Sequence, residues 1–332
     1  MNGKLAFRSV LQGKNQGNPP FVPFVYGLAA RMANVSLREM VSDPGYYTNA
    51  LEGVYGLLDY EVITTSYDTT VEAESLGSQV EWKNEYAAPH LVRGGDLSLI
   101  RPEEFLQSGR IQVLLEVTKR LMISAGRDAA VACVISGPCS LLKGLERVSG
   151  LSGCGSSAEA VKLLGGFLNK LVRGLCELKI DAVLFREDPL GQELVDELAV
   201  GRDAYKGLYA TLFNIVRAFN GFPLLLTSRL TVDDVKAIHN TLRPDGMVLL
   251  GTDFDDQGLS LLNELADASR ISFGVPLPIG TAPEEKLWER LHVIDSFVAA
   301  HRPKRFFYTS DGEIPHDISI EILRTLMDRL RA

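Results

Sequence analysis

Short apolar runs alternate along the chain with longer stretches in which apolar residues recur every three or four positions. The short runs are FVPFVYG (21–27), YEVITTSYD (60–68), AAVACVISGP (129–138), DAVLFRED (181–188), PLLLTSR (223–229), GMVLLGTD (246–253), ISFGVPLP (271–278) and FFYTSDG (306–312). Their length predicts strands, and the unbroken apolarity of several predicts strands covered on both faces. The longer stretches predict helices. Ser36 with Glu39 fits a capping box, and Asp43 before Pro44 fits an N-cap and first helical position, opening a helix to about Gly56. Thr281 with Glu284 fits another capping box, ahead of a stripe of Leu287, Leu291, Ile294 and Val298. Leu164, Leu168, Leu171, Leu175 and Leu178 form a second stripe, and Leu208, Leu212, Ile215 and Phe219 a third.

Strands joined by helical crossovers predict an α/β chain of one barrel domain over residues 1–332, a closed (β/α)8 TIM barrel. The alternative, an open doubly wound sheet, should carry a phosphate-binding glycine motif after its first strand, and none follows FVPFVYG. The alternation breaks once. Residues 69–110, including SLGSQVEWKNEYAAPHLVRGGDLSLI, read as a β-hairpin insertion after the second strand. In a barrel that position lies over the catalytic mouth, as a wall or lid.

Composition narrows the function classes. The 332 residues are 46% hydrophobic and 23% charged, which is globular rather than disordered. Lys plus Arg number 34 against 42 Asp plus Glu, a net charge of −8 with no basic run, which argues against nucleic acid or an anionic membrane surface as partner. Cys133, Cys139, Cys154 and Cys176 form no CxxC pair, and no stretch of 18 apolar residues or leader-like apolar segment is present. The expectation is a reduced, cytoplasmic protein that takes a small-molecule substrate and is compatible with a homodimer.

In a barrel, chemistry belongs at strand C-termini. Those positions offer Tyr26, Arg31, Asp68, Cys139, Ser140, Glu187, Asp188, Ser228, Arg229, Asp253, Asp255, Asp311, Glu313 and His316. Converging carboxylates would raise each other's pKa values or recruit a cation, which makes them acid/base or metal-ligand candidates. Asp253, Asp255 and Asp256 serve equally well as helix caps. Arg31 offers a fork for a substrate carboxylate or an ion pair to Glu39. The glycine-rich stretch 149–160 reads as a loop with Ser156 or Ser157 capping the next helix, and Cys154 has no histidine placed to activate it. His239 and His292 fall inside amphipathic helices; His316 follows the last strand.

Four stretches resemble the uroporphyrinogen decarboxylase superfamily. PFVYGLAARMANVSLREMVSDP (23–44) is similar to its first-strand segment, YDTTVEAESLG (67–77) to the segment with an Asp nine residues before a Gly, ISGPCSLLKG (135–144) to its G-x-P region, and DGEIPHDISIEIL (311–323) to its closing stretch. The resemblance implies a (β/α)8 barrel with either of two activities, removal of acetate carboxylates from a tetrapyrrole without a cofactor or methyl transfer to or from a corrinoid protein. The decarboxylase Asp that gathers pyrrole N–H groups falls on Asp68 and one arginine clamp on Arg31, but the other clamp falls on Gly27, the active-site Tyr on Gly144 and a His on Asp311. The thiol-activating zinc set of the methyltransferases falls in residues 225–229 and at Ser310 or Asp311, so its soft ligands are missing.

The expectation is therefore a methyltransferase-like enzyme of the methylcobamide branch. It acts on a small methylated compound, with a corrinoid carried on a partner protein. Asp68, Glu187, Asp188 and Asp311 are the expected catalytic residues. Tyr26, Arg31, Ser140, Ser228, Asp253 and His316 are expected to bind substrate. A harder metal site of Glu187, Asp188, Asp311 or His316 is an open alternative, as are a tetrapyrrole decarboxylase without cofactor and a non-catalytic ligand-binding barrel.

Overall fold

Ten strands order the structure, a computed structural model that describes residues 2–97, 100–151, 157–200 and 202–332. They are β1 (Phe21–Phe24), β2 (Val62–Thr64), β3 (Gln79–Glu81), β4 (His90–Arg93), β5 (Ala130–Ser136), β6 (Ala182–Arg186), β7 (Phe222–Ser228), β8 (Gly246–Leu250), β9 (Ser272–Leu277) and β10 (Phe306–Glu313). Eight of them pair in parallel in the order β1-β10-β9-β8-β7-β6-β5-β2. The sheet curls until β2 lies beside β1, so the predicted (β/α)8 barrel is the fold, and each predicted apolar run contributes one strand.

The seam between β1 and β2 is closed by side chains. Pro23 has no N–H to offer a neighbour, and its carbonyl accepts the Thr64 hydroxyl at 2.8 Å. The Glu61 carboxylate accepts the Phe21 N–H at 2.8 Å. Below the barrel, a helix the pattern did not reveal (Gly3–Leu11) closes the floor, with Phe7 edge-on to Phe307 at 5.8 Å.

The helices follow their predicted stripes with corrections at the ends. The Ser36–Glu39 capping box is present, and Asp43 caps a helix of Pro44–Leu58, two residues longer than expected. Thr281 and Glu284 form no box: Pro283 takes the N-cap of Glu284–His301, and the Glu284 carboxylate accepts the Trp288 indole N–H at 2.8 Å instead. A capping box that was not anticipated joins Thr231 and Asp234. Leu178 and Phe219 fall just past the ends of helices Ser157–Glu177 and Arg202–Ala218. Cys154 and the stretch 152–156, Ser156 included, lie outside the described residues.

The insertion after β2 is richer than one hairpin. β3 and β4 do pair antiparallel, but Val71–Ser75 and Pro102–Phe105 are short helices, and Gly109 opens the long helix Gly109–Ser124. The loop between β3 and β4 reaches across the barrel mouth. The Glu85 carbonyl accepts the Leu37 N–H at 2.8 Å, and the Tyr86 ring stacks on His316 at 5.0 Å. No helix among the described residues is long and apolar enough to cross a membrane.

Candidate active site

Side-chain direction at the strand ends follows from the two-residue period of the strands. In β6, Phe185 packs on Tyr209 and Phe213 of the helix layer, at 6.5 and 5.2 Å. Glu187 has the same parity and also faces the helices. Arg186 and Asp188 have the other parity and turn into the mouth. In β10, Phe306 and Tyr308 meet the outer helix Glu284–His301 through Phe297 and Asp295. Phe307, on the opposite parity, meets the floor helix, and Asp311 and Glu313 continue that parity to the top.

The mouth holds a pocket of about 600 Å³. Its walls include Tyr67 beyond β2, Asp188 beyond β6, Ser228 and Arg229 at the end of β7, Gly251 beyond β8 and Asp311 in β10. Five strand ends thus meet in one cavity of small-molecule size. Asp188 and Ser228 were expected there, and so was Asp311. Asp188 is held by both arms of Arg186, at 2.6 and 3.1 Å, and its carbonyl accepts the Ser228 hydroxyl at 2.7 Å. The Arg186 guanidinium also lies 3.7 Å over the Tyr67 ring and donates to the Tyr67 carbonyl. Burial works against the Arg186 charge, but Asp188 and Tyr67 outweigh it and raise its pKa. Burial pushes the Tyr67 hydroxyl upward, so it remains a proton-bearing donor on the pocket wall. Asp311 accepts the Gly251 N–H at 2.5 Å and makes no ion pair with any described residue.

Asp68 is not exposed to this pocket. It is buried, accepts the N–H and the hydroxyl of Thr70, each at 2.7 Å, and is ion-paired to Arg110. Arg110 also pairs with Glu74, donates to Thr70 at 2.7 Å and lies 5.4 Å from the Trp82 ring. The acidic mouth has recruited guanidinium groups as its cations. Tyr26 is buried beside Asp68, and burial, reinforced by that carboxylate, holds its hydroxyl well above the usual range. Glu313 carries the more labile proton. Burial lifts its pKa to about 7, while the Gly27 N–H at 2.5 Å and Arg186 pull the other way.

Glu187 requires the clearest correction. Its carboxylate accepts the N–H groups of Cys139 and Ser140, at 3.0 and 2.7 Å, and the Tyr209 hydroxyl. It therefore satisfies the open N-terminus of helix Pro138–Arg147 from behind the barrel wall. Burial lifts it to about 7 against those hydrogen bonds. Ser140 acts there through its backbone and not in the pocket. Other expected binders also lie outside the cavity. Arg31 is exposed and donates to the His316 carbonyl, not to Glu39, which is engaged by Ser36. His316 stacks on Tyr86. Asp253 points to solvent and pairs with Arg290 at 2.9 Å, while Asp255 caps the helix Asp256–Ser269.

The donor set does not fit the proposed metal. Glu187 faces the helices, Asp188 is occupied by Arg186 and His316 is on the rim. Among the described residues no three His, Cys, Asp or Glu side chains are placed to hold an ion. Cys133 and Cys139 are buried, and burial raises both thiols, Cys133 to about 12. Two residues outside the expected set pair with the acids at the mouth, Arg186 with Asp188 and Arg110 with Asp68. Arg186 was legible from strand alternation, whereas Arg110 carried no local signal.

Comparison with known proteins agrees with the barrel fold. The uroporphyrinogen decarboxylase family model matches residues 3–147. Among solved structures, a methyltransferase from Methanosarcina mazei superposes with a TM-score of 0.79 at 14% identity, covering 100% of both chains. A B12-independent methionine synthase from Shewanella sp. W3-18-1, in complex with selenomethionine, superposes with a TM-score of 0.52 at 14% identity over 86% of each chain. No curated protein sequence matches.

Proposed function

We propose that this chain, whose residues 3–147 match the uroporphyrinogen decarboxylase family model, is a methyltransferase-like enzyme moving a methyl group between a small methylated compound and a corrinoid protein. The observation that carries the reading is the pocket of about 600 Å³, sized for a small molecule and lined by Tyr67, Ser228, Arg229 and Asp311. The full-length likeness in fold to a methyltransferase supports it. The corrinoid would come as cargo of a partner protein and supply the methyl-carrying centre. This chain's own contribution is to bind and orient the small compound. The Tyr67 hydroxyl, kept protonated by burial, donates a hydrogen bond to the departing or entering heteroatom. The Arg186–Asp188 pair fixes the Tyr67 ring. Glu313, near half-protonation at neutral pH, stores a proton beside Arg186. No metal step is derived, because the donor set does not fit one.

The test is transfer of a labelled methyl group from a panel of methoxy and methylamino compounds to added corrinoid protein. Turnover with at least one compound is expected. No turnover and no association with corrinoid protein would overturn the reading.

The family match also favours a second reading, decarboxylation of a tetrapyrrole. It needs an Asp free to accept pyrrole N–H groups, and Asp68 is committed to Arg110 and Thr70. Incubation with uroporphyrinogen and chromatography of the products separates the two. Stepwise loss of carboxylates would select the decarboxylase.

A further inference from the structure

Two charged groups in the pocket make no ion pair with a described residue, although Asp311 lies in the field of the Arg290 guanidinium. Arg229 stands at the end of β7, and its guanidinium makes no ion pair or hydrogen bond with any described residue. Asp311 uses one carboxylate oxygen on the Gly251 N–H and meets no cation in an ion pair. Other charged groups at the mouth are ion-paired, Asp188 with Arg186 and Asp68 with Arg110. Gly251 brings the two unmatched groups together. Its N–H holds Asp311, and a side chain at Gly251 would meet the Arg229 Cγ at 3.3 Å. Both backbones there are left-handed, with φ of 59° at Gly251 and 54° at Arg229. Arginine is disfavoured in that region and here caps no helix, since it follows a strand. Its N–H is tied to the Leu250 carbonyl at 2.9 Å, which fixes the turn that carries the side chain along the pocket wall.

We propose that this pocket selects an amphoteric small molecule, with its carboxylate or similar planar anion on Arg229 and its amino or onium nitrogen beside Asp311. A guanidinium matches a carboxylate with two parallel donors. The free oxygen of Asp311 offers a charge to a cation without displacing its existing hydrogen bond. Either half alone would leave one pocket charge unmatched, so discrimination comes from the mismatched half as much as from the matched one. The inference rests on the methyl-transfer reading for what happens to the ligand, but not for how the ligand is bound.

Calorimetric binding to the full chain at neutral pH tests it, with three probes: trimethylglycine, tetramethylammonium and methoxyacetate. Trimethylglycine is expected to bind at least tenfold more tightly than either single-charge probe. Arg229→Gln should lower its affinity about tenfold and leave tetramethylammonium unchanged. Asp311→Asn should lower trimethylglycine and tetramethylammonium together, leaving methoxyacetate unchanged or improved. Equal affinity for the three probes, no binding of trimethylglycine, or indifference to Arg229→Gln would overturn the proposal. Arg229 is exposed, so its variant keeps the test valid if Asp311→Asn fails to fold. Selective binding with no methyl transfer would contradict the functional reading alone. Methyl transfer from an uncharged ether without amphoteric selectivity would contradict this proposal alone.

Discussion

At the scale of single residues, neighbours in sequence have separate fates. Arg186 and Asp188 build the pocket, and Glu187 between them supports a helix from the other side of the barrel wall. The alternation that separates them was readable in VLFRED, because Phe185 is plainly a core residue and Glu187 shares its face. Two stability predictions follow. Glu187→Gln keeps one acceptor oxygen and turns its NH2 toward the other of the Cys139 and Ser140 N–H groups, so it should cost about 1–2 kcal/mol at neutral pH. Glu187→Ala orphans those donors and the Tyr209 hydroxyl, and should cost about 2–4 kcal/mol in urea denaturation. Equal losses for the two would mean that the helix N-terminus does not depend on this acceptor. Arg110 gives a harsher case. Arg110→Met leaves Asp68 charged and buried without its partner, so a loss of about 3–5 kcal/mol is expected, partly recovered by adding Asp68→Asn. No recovery in the double variant would show that Arg110 acts through packing alone.

At the scale of elements, the strands were the most legible part of the chain and the insertion the least. A strand covered on both faces declares itself by an unbroken apolar run, several barrel strands did so, and each of the eight arose from an apolar run. The segment 69–110 has no such constraint. Its short helices and the pairing of Arg110 with Asp68, 42 positions away, depend on tertiary contacts that leave no local period. The same holds for the floor helix Gly3–Leu11, whose mixed pattern gave no strong signal. Gly27 shows how the insertion is held. A Cβ there would come within 2.1 Å of the Tyr86 carbonyl and 2.9 Å of the Glu313 carboxylate. This accounts for glycine at the position onto which the resemblance maps an arginine clamp. Gly27→Ala should displace the loop between β3 and β4 and raise amide hydrogen exchange across residues 79–93, at a cost of about 1–3 kcal/mol. Unchanged exchange there would show that the loop is anchored elsewhere.

At the scale of the whole molecule, the barrel collects acids from distant strand ends and neutralises them in different ways. Asp68 and Asp188 stay beside guanidinium groups, whereas Glu187 and Glu313 are lifted to about 7 by burial. Glu187 binds its proton more tightly folded than unfolded. Its stabilising contribution is therefore complete below its ordinary value of 4.5 and is lost as pH rises through about 7. The stability difference between the parent and Glu187→Gln should accordingly move against the parent by on the order of 1–3 kcal/mol between pH 5 and pH 7.5. A difference independent of pH would mean that Glu187 is charged throughout.

The candidate site itself was half legible. Asp188, Ser228 and Asp311 were found because strand C-termini locate chemistry in a barrel, but strand ends alone did not show which way each side chain turns. Which residues matter for transfer is therefore decided by where the reacting compound sits. The direct measurement is the rate of labelled methyl transfer to corrinoid protein, compared across the parent, Tyr67→Phe, Asp311→Asn and Glu187→Gln. Losses of tenfold or more for the two pocket variants, with Glu187→Gln within a few-fold of the parent, are predicted. Abolition of transfer by Glu187→Gln, with Tyr67→Phe and Asp311→Asn unaffected, would contradict the account.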